Sequence, residues 1–318
     1  MKKDLSTVII EPIHMDGVDI LKKAGRVIQL PPGSTWKNLL QVSREADAFI
    51  TRGFVRIPRE VLAAAEKLKV IGVHGVGVDH IDIDFAAERG IQIVRTPTAL
   101  TDTVAEFTIG LMLSLLRKIP MADVAVRTGE WSSKYRELVG VDLMGKTVGI
   151  IGLGRIGSAV ARRLEAFNVH LIYYRRTRNR ELEKELDIEY VSFNELLRAS
   201  DIISIHVPLT PETYHMLSPK QFALMNRGVY IVNTSRGAVI DEKALCSALM
   251  QEKVAGAALD VFEFEPLNLE SPLLKCSNVI LTQHVAASSK EALRRMAINV
   301  ATEVIRILND KTENISYP

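Results

Sequence analysis

Hydrophobic positions in the first hundred residues fall into short β-branched runs at 7–10, 27–30, 48–51, 70–73 and 91–94. Helical patterns separate them. One covers residues 57–65, with Pro58 near its start, where the missing N–H costs a helix nothing. This alternation predicts a parallel sheet covered on both faces. After Pro97 the period changes, and residues 101–117 read as one long, largely apolar helix with Thr101 or Asp102 as its cap. A second helical stretch runs to about residue 127. Alternation then restarts, with strands predicted at 147–151, 169–173, 202–206, 229–233, 255–260 and 279–281. A final helical pattern, 290–309, follows the last strand and is expected to cross back onto the first sheet.

The expected fold class is therefore α/β, with two domains built on parallel sheets. The domains predicted are 1–99 with 287–318, and 100–286. No repeat or low-complexity segment interrupts the pattern.

Composition narrows the function classes. The chain has 318 residues, 47% of them apolar, and a net charge of +2. That is room for two cores and no electrostatic case for nucleic acid. Cys246 and Cys276 are the two cysteines, far apart in sequence, so neither a disulfide framework nor a zinc cluster is expected. The apolar run at 108–116 is shorter than the ~20 residues of a membrane helix. No signal-peptide core follows the charged start. A cytoplasmic protein with no membrane partner is the expectation.

Chemistry enters at Gly152-Leu153-Gly154-Arg155-Ile156-Gly157, which follows a predicted strand and opens a helix. Gly152 allows the tight turn, Gly154 the approach of a pyrophosphate, and Gly157 close helix–strand packing. The helix start at Arg155 and Ile156 offers N–H groups to phosphate. At the next strand end stands Tyr174-Arg175-Arg176, with no acid before Glu181. NAD-binding sites usually place Asp or Glu there to hold the ribose. Arg175 and Arg176 read either as a 2′-phosphate pair or as a solvated basic loop. The first reading is favoured, so NADP(H) is expected ahead of NAD(H).

Several ordered segments make the chain resemble the D-isomer-specific 2-hydroxyacid dehydrogenases along nearly its whole length. They are Gly75-Val76-Gly77-Val78-Asp79, Ala105-Glu106-Phe107-Thr108-Ile109-Gly110, the glycine fingerprint, His206-Val207-Pro208-Leu209-Thr210 and Asn233-Thr234-Ser235-Arg236-Gly237. Leu259-Asp260-Val261-Phe262-Glu263-Phe264-Glu265-Pro266 and Thr282-Gln283-His284 complete the set. The likeness is strongest to glyoxylate/hydroxypyruvate reductases and D-3-phosphoglycerate dehydrogenases. It implies two Rossmann-like domains, 1–99 with 287–318 for substrate and 100–286 for a dinucleotide, with the active site in the cleft between them, a homodimer formed mainly through the cofactor domain, and D-selectivity.

The resemblance also implies Arg236, Glu265 and His284 as the catalytic set. Hydride delivery to a ketone builds charge on oxygen. A histidine can protonate that oxygen, a carboxylate can orient the imidazole, and an arginine can hold the substrate carboxylate. Asp260 is expected at the nicotinamide, His206 and Pro208 on the adenine side, and Thr108 and Thr234 near the cofactor. The loop His74-Gly75-Val76-Gly77 is expected to cup the substrate carboxylate, and Arg52 to meet a second anionic group or a surface partner. Two departures stand out. Gln283 replaces the proline common before the histidine, and Val285-Ala286-Ala287 replaces a glycine-containing sequence.

The leading functional expectation is a reductase of glyoxylate, hydroxypyruvate or a similar small 2-oxo acid. The alternative enzyme is D-3-phosphoglycerate dehydrogenase. Val73 stands where such enzymes often carry arginine, and no C-terminal regulatory domain is expected after Pro318. A third reading, from another class, is a dinucleotide-sensing corepressor. A formate dehydrogenase is less favoured, because the N-terminal extension of that group is not seen.

Overall fold

The computed structural model describes residues 5–309; residues 1–4 and 310–318, which the expected first domain includes, lie outside the described part. The chain divides into two compact units, Met1–Leu100 with Ser288–Pro318, and Thr101–Ala287.

In the first unit the strands are β1 (Leu5–Ile9), β2 (Gly25–Gln29), β3 (Ala48–Thr51), β4 (Val70–Val73) and β5 (Gln92–Val94). Helices α1 (Met15–Ala24), α2 (Trp36–Val42), α3 (Arg59–Ala64) and α4 (Ile83–Glu88) connect them. All pairings are parallel, in the order β2-β1-β3-β4-β5. Alternation along each strand fills both faces, because successive side chains point opposite ways. Val8, Phe49 and Ile71 enter one core with Leu39, Val61 and Leu62. Leu5, Ile9, Ile50 and Val70 enter the other with Val18, Leu21, Val300 and Val304.

Those last two valines belong to the C-terminal helix α12 (Lys290–Asn309), which packs on α1 and β4; α5–α11 lie earlier in the chain. Gly72 makes this possible. A Cβ there would lie 2.6 Å from Val300 and 2.8 Å from Val304. Each buried valine contributes roughly 1.5–3 kcal/mol.

A helix of 20 residues, α5 (Pro97–Leu116), leads into the second unit. It begins earlier than the pattern at 101 suggests, because Pro97 is well suited to a first helical position. The apolar run at 108–116 also understates it. By length and composition alone this helix could cross a membrane, yet 56% of its most apolar window is buried. It places Ala105, Met112 and Leu116 in a core.

Next come α6 (Ile119–Thr128), β6 (Thr147–Ile151), α7 (Arg155–Leu164), β7 (His170–Tyr174), α8 (Arg180–Leu186), β8 (Glu189–Tyr190), α9 (Phe193–Ala199) and β9 (Ile202–Ile205). The unit ends with α10 (Pro219–Leu224), β10 (Val229–Asn233), α11 (Glu242–Met250), β11 (Val254–Leu259) and β12 (Val279–Leu281). Its parallel sheet runs β12-β11-β10-β9-β6-β7-β8. From β6 the chain winds outward through β7 and β8, then returns to the other side of β6 at β9. Open sheets bind ligands at such a reversal, beyond the carboxyl ends of the strands. The glycine fingerprint follows β6.

Candidate active site

The dinucleotide turn is built by the ends of three adjacent strands. Gly152 N–H donates to Tyr174 O at 2.8 Å, and His206 N–H donates to Ile151 O at 2.7 Å. Gly152 has φ +96°, and a Cβ there would meet His206 O at 2.6 Å, so only glycine fits. A Cβ on Gly157 would lie 2.1 Å from Gly152 O, which explains how α7 sits tight against the turn. Gly154 faces open space, with no atom within 4 Å of its would-be Cβ. An open cradle at the start of α7 fits a pyrophosphate, because first-turn N–H groups have no helical acceptor. Arg155 is exposed and Ile156 half-buried on this first turn.

Arg175 follows β7 directly, and its guanidinium donates to Leu153 O of the glycine turn at 3.4 Å. It lines an open pocket of about 430 Å³ with Thr177, Arg178, Asn179, Arg180 and Glu181. Arg178 is already committed, making a two-pronged pair with Glu183 at 2.8 and 2.7 Å. That pair, with the Tyr173 hydroxyl, holds the Glu183 carboxyl down at about 2. Arg176 is exposed outside the pocket lining. His206 is half-buried beside the turn, with Nε2 2.8 Å from Ser204 Oγ. Burial pushes it down to about 4, so it is neutral at pH 7. Pro208 is exposed, and its carbonyl accepts from Thr213 Oγ1 at 2.7 Å.

Arg236, Glu265 and His284 follow β10, β11 and β12, three neighbouring strands, so the sheet delivers all three to one edge. His284 Nδ1 lies 2.7 Å from Glu265 Oε2, the geometry of an N–H donated to a carboxylate. Glu265 Oε1 accepts Phe262 N–H at 3.0 Å. Burial alone would raise the Glu265 carboxyl. The hydrogen bond and charge of His284, the Phe262 N–H and the charge of Arg236 outweigh it and hold the group below its usual range.

Arg236 sits on a turn shaped by buried Asn233, whose side chain donates to Arg236 O at 2.9 Å and accepts from Ser235 N and Oγ at 3.0 and 2.8 Å. Gly237 comes next. A Cβ there would fall 1.8 Å from Phe262 C, so the Arg236 turn rests directly on the backbone of the Glu265 loop.

A carboxylate-bound imidazole beside a guanidinium, on the same sheet as a dinucleotide cradle, is equipped to protonate an oxygen and hold an anion. Comparison with known proteins gives the family. Residues 109–286 match the family profile described as D-isomer specific 2-hydroxyacid dehydrogenase, NAD binding domain. The glyoxylate reductase of Thermofilum pendens is 43% identical over 312 residues, 96% of this chain and 90% of its own.

The chain belongs to the D-isomer specific 2-hydroxyacid dehydrogenases.

A D-3-phosphoglycerate dehydrogenase of Methanocaldococcus jannaschii is 43% identical over 310 residues, 97% of this chain. The chain spans only 58% of that relative's length. Among solved structures, an NADPH-dependent glyoxylate/hydroxypyruvate reductase from Sinorhizobium meliloti, in complex with NADP and malonate, superposes with a TM-score of 0.85. It is 32% identical and covers 94% of this chain and 92% of its own. In this 2-hydroxyacid dehydrogenase, residues 109–286 are accordingly a domain for a nicotinamide dinucleotide.

Asp260 is fully buried and faces the His284 turn. Its Oδ1 accepts from Thr282 Oγ1 at 2.6 Å and Val285 N at 2.9 Å, and its Oδ2 from Ala286 N at 2.8 Å. His284 itself has φ +54°. Thr108 and Thr234 are brought together, with hydroxyls 2.8 Å apart, tying α5 to the end of β10.

The residues expected at the substrate lie in the first unit. Arg52 N–H donates to Glu11 Oε2 at 2.8 Å, and its guanidinium reaches Pro12 O at 3.3 Å. Burial lowers its pKa, partly offset by Glu11. His74 is buried, with Nε2 3.1 Å from Leu293 O on α12, while Nδ1 has no hydrogen-bond partner among the described residues. Burial pushes it down to about 4. Gly75 and Gly77 are half-buried and Val76 exposed, and Gly75 O accepts Thr96 N–H at 2.8 Å.

Sequence reasoning missed a second group near the Glu265 loop: Glu242, Glu263 and His215. Only Glu263 lay inside a recognised motif. The other two come from the start of α11 and from a loop after β9, and nothing local marks them.

Proposed function

We propose that the protein reduces a small 2-oxo acid of the glyoxylate or hydroxypyruvate type, with NADPH favoured over NADH. The observation that carries this reading is the 2.7 Å contact between His284 Nδ1 and Glu265 Oε2, beside Arg236. The bound nicotinamide would supply a hydride to the carbonyl carbon. His284 Nε2 then delivers a proton to the carbonyl oxygen while Glu265 holds the Nδ1–H. Arg236 binds the substrate carboxylate and opposes charge on the developing alkoxide. In the first unit, Gly75, Val76 and Gly77 carry backbone N–H groups suited to an anion, and His74 steadies that loop through Leu293 O. Asp260 is assigned the nicotinamide carboxamide as well as the His284 turn.

Arg175 supports the NADPH preference, because its guanidinium sits at the glycine turn where a 2′-phosphate would need a cation. The Sinorhizobium relative is NADPH-dependent by its description. The phosphoglycerate relative, at 43% identity, favours a second reading in which Arg52 takes the substrate phosphate.

We also propose a homodimer through the second unit. Helix α6 buries none of its residues, and Val124, Val126, Trp131 and Tyr135 stand exposed along that segment. An apolar run of this kind usually marks an interface.

A screen of purified protein against 2-oxo acids, with NADPH and with NADH, tests the reading. Reduction of glyoxylate or hydroxypyruvate is expected to exceed oxidation of D-3-phosphoglycerate. Tight dinucleotide binding without turnover on any 2-oxo or 2-hydroxy acid would replace the enzyme reading with the sensor one.

A further inference from the structure

We propose that Glu242 and His215 are positioning residues for the Glu265–His284 pair, acting through a two-point grip on Glu263. The first point is backbone: Glu263 N–H donates to Glu242 Oε1. The second is side chain: Glu263 Oε1 lies 2.9 Å from His215 Nε2. Glu265 is two residues further along.

Both anchors sit on well-fixed pieces. Glu242 opens α11, whose start is capped by Asp241 accepting Ala244 N–H at 3.0 Å. His215 donates its N–H to Ala238 O at 2.8 Å, and its ring stacks on Tyr214 with centroids 4.0 Å apart. Ala238 follows Gly237, the residue on which the Phe262 backbone rests. The grip therefore joins the Arg236 turn to the Glu265 loop.

The loop needs such a grip. Phe264, between Glu263 and Glu265, is 77% exposed, so its side chain anchors little. The direction of the Glu265 carboxylate depends on polar contacts at Phe262 and Glu263. Gathering Glu242, Glu263 and Glu265 is electrostatically unfavourable. Burial first, and then the charges of Glu263 and Glu265, raise the Glu242 carboxyl. Such a cluster is out of place in a surface loop unless its geometry serves the neighbouring pair.

The inference rests on the reading of His284 and Glu265 as the proton-delivering pair. The test compares Glu242→Ala, Glu242→Gln, His215→Asn and His284→Asn in glyoxylate reduction, with melting temperature and dinucleotide affinity measured for each. Glu242→Ala is expected to lower kcat about 10- to 100-fold, as misplacement of a reacting group does. The KM for the 2-oxo acid should move by less than about threefold, because ground-state binding is untouched. Dinucleotide affinity should not change. Glu242→Gln keeps an acceptor oxygen for Glu263 N–H and should restore most of kcat. His215→Asn, which leaves α11 untouched, should lower kcat in the same direction and decides the matter if Glu242→Ala fails to fold.

Wild-type kcat in folded Glu242→Ala, or in His215→Asn, overturns the grip. So does a Glu242→Gln as impaired as Glu242→Ala. If His284→Asn turns over normally, the underlying pair is misassigned; if it is inactive while Glu242→Ala is normal, the grip alone is wrong.

Discussion

Asp260 holds the turn that presents His284. Its carbonyl accepts His284 N–H at 2.8 Å, and its carboxylate accepts Val285 and Ala286 N–H at 2.9 and 2.8 Å. One buried residue thus fixes the backbone on both sides of the imidazole. Asp260→Asn replaces one acceptor oxygen with a donor and leaves a buried N–H or hydroxyl unsatisfied. A loss of about 1–3 kcal/mol in unfolding free energy is expected. Urea denaturation should show an earlier midpoint, together with a fall in kcat from a loosened His284. An unchanged midpoint would remove Asp260 from this role.

Arg175 is expected to discriminate between cofactors. Arg175→Ala should raise the KM for NADPH about 10- to 100-fold, the worth of one charge-assisted contact. The KM for NADH should stay within about twofold, since no 2′-phosphate is present to miss the guanidinium. Steady-state kinetics with both cofactors settle this. Equal loss with both would mean Arg175 supports the glycine turn through Leu153 rather than reading the phosphate.

Much of this was legible in the sequence because it is local. The strand ends at residues 151, 233 and 281 agree with the hydrophobic runs, and the triad follows such ends. β8, Glu189–Tyr190, is too short to carry a period. Helix α5 starts at Pro97 rather than at a Thr101 or Asp102 cap, because proline suits a first helical position. The grip on Glu263 was invisible for a different reason. Its partners lie 21 and 48 positions away, brought near by the pairing of β10 with β11 and by the Leu217–Ile240 bridge. The family resemblance points Asp260 at the cofactor, while its bonds to the 282–286 turn depend on the same sheet order.

His74 and His206 should make stability pH-dependent. Burial holds each at about 4, below the ordinary 6.5 of histidine. Between those values the unfolded chain binds protons that the folded chain does not. Stability is therefore full above about pH 6.5 and falls as pH drops toward 4, by up to about 1.4 kcal/mol per pH unit for buried His74 and by less for half-buried His206. His74→Gln can still donate to Leu293 O but cannot titrate. Denaturation at stepped pH should show a shallower fall for this variant, and an equal slope would rule out His74 as the titrating group.

The exposed face of α6 predicts self-association. Val124→Asp places a charge on that face and should shift the protein from dimer to monomer in light scattering behind size exclusion. Because α6 buries none of its residues within the chain, the melting temperature of the isolated monomer should change little from this substitution alone. A wild-type protein that is already monomeric would refute the dimer.

His284, held by Glu265, is the proposed proton donor in 2-oxo acid reduction. Glyoxylate reduction by His284→Asn, with NADPH affinity measured on the same preparation, tests it most directly. A fall in kcat of about 100- to 10,000-fold, the worth of a positioned acid, is expected with NADPH affinity unchanged. Turnover within a few fold of the unaltered protein would contradict it.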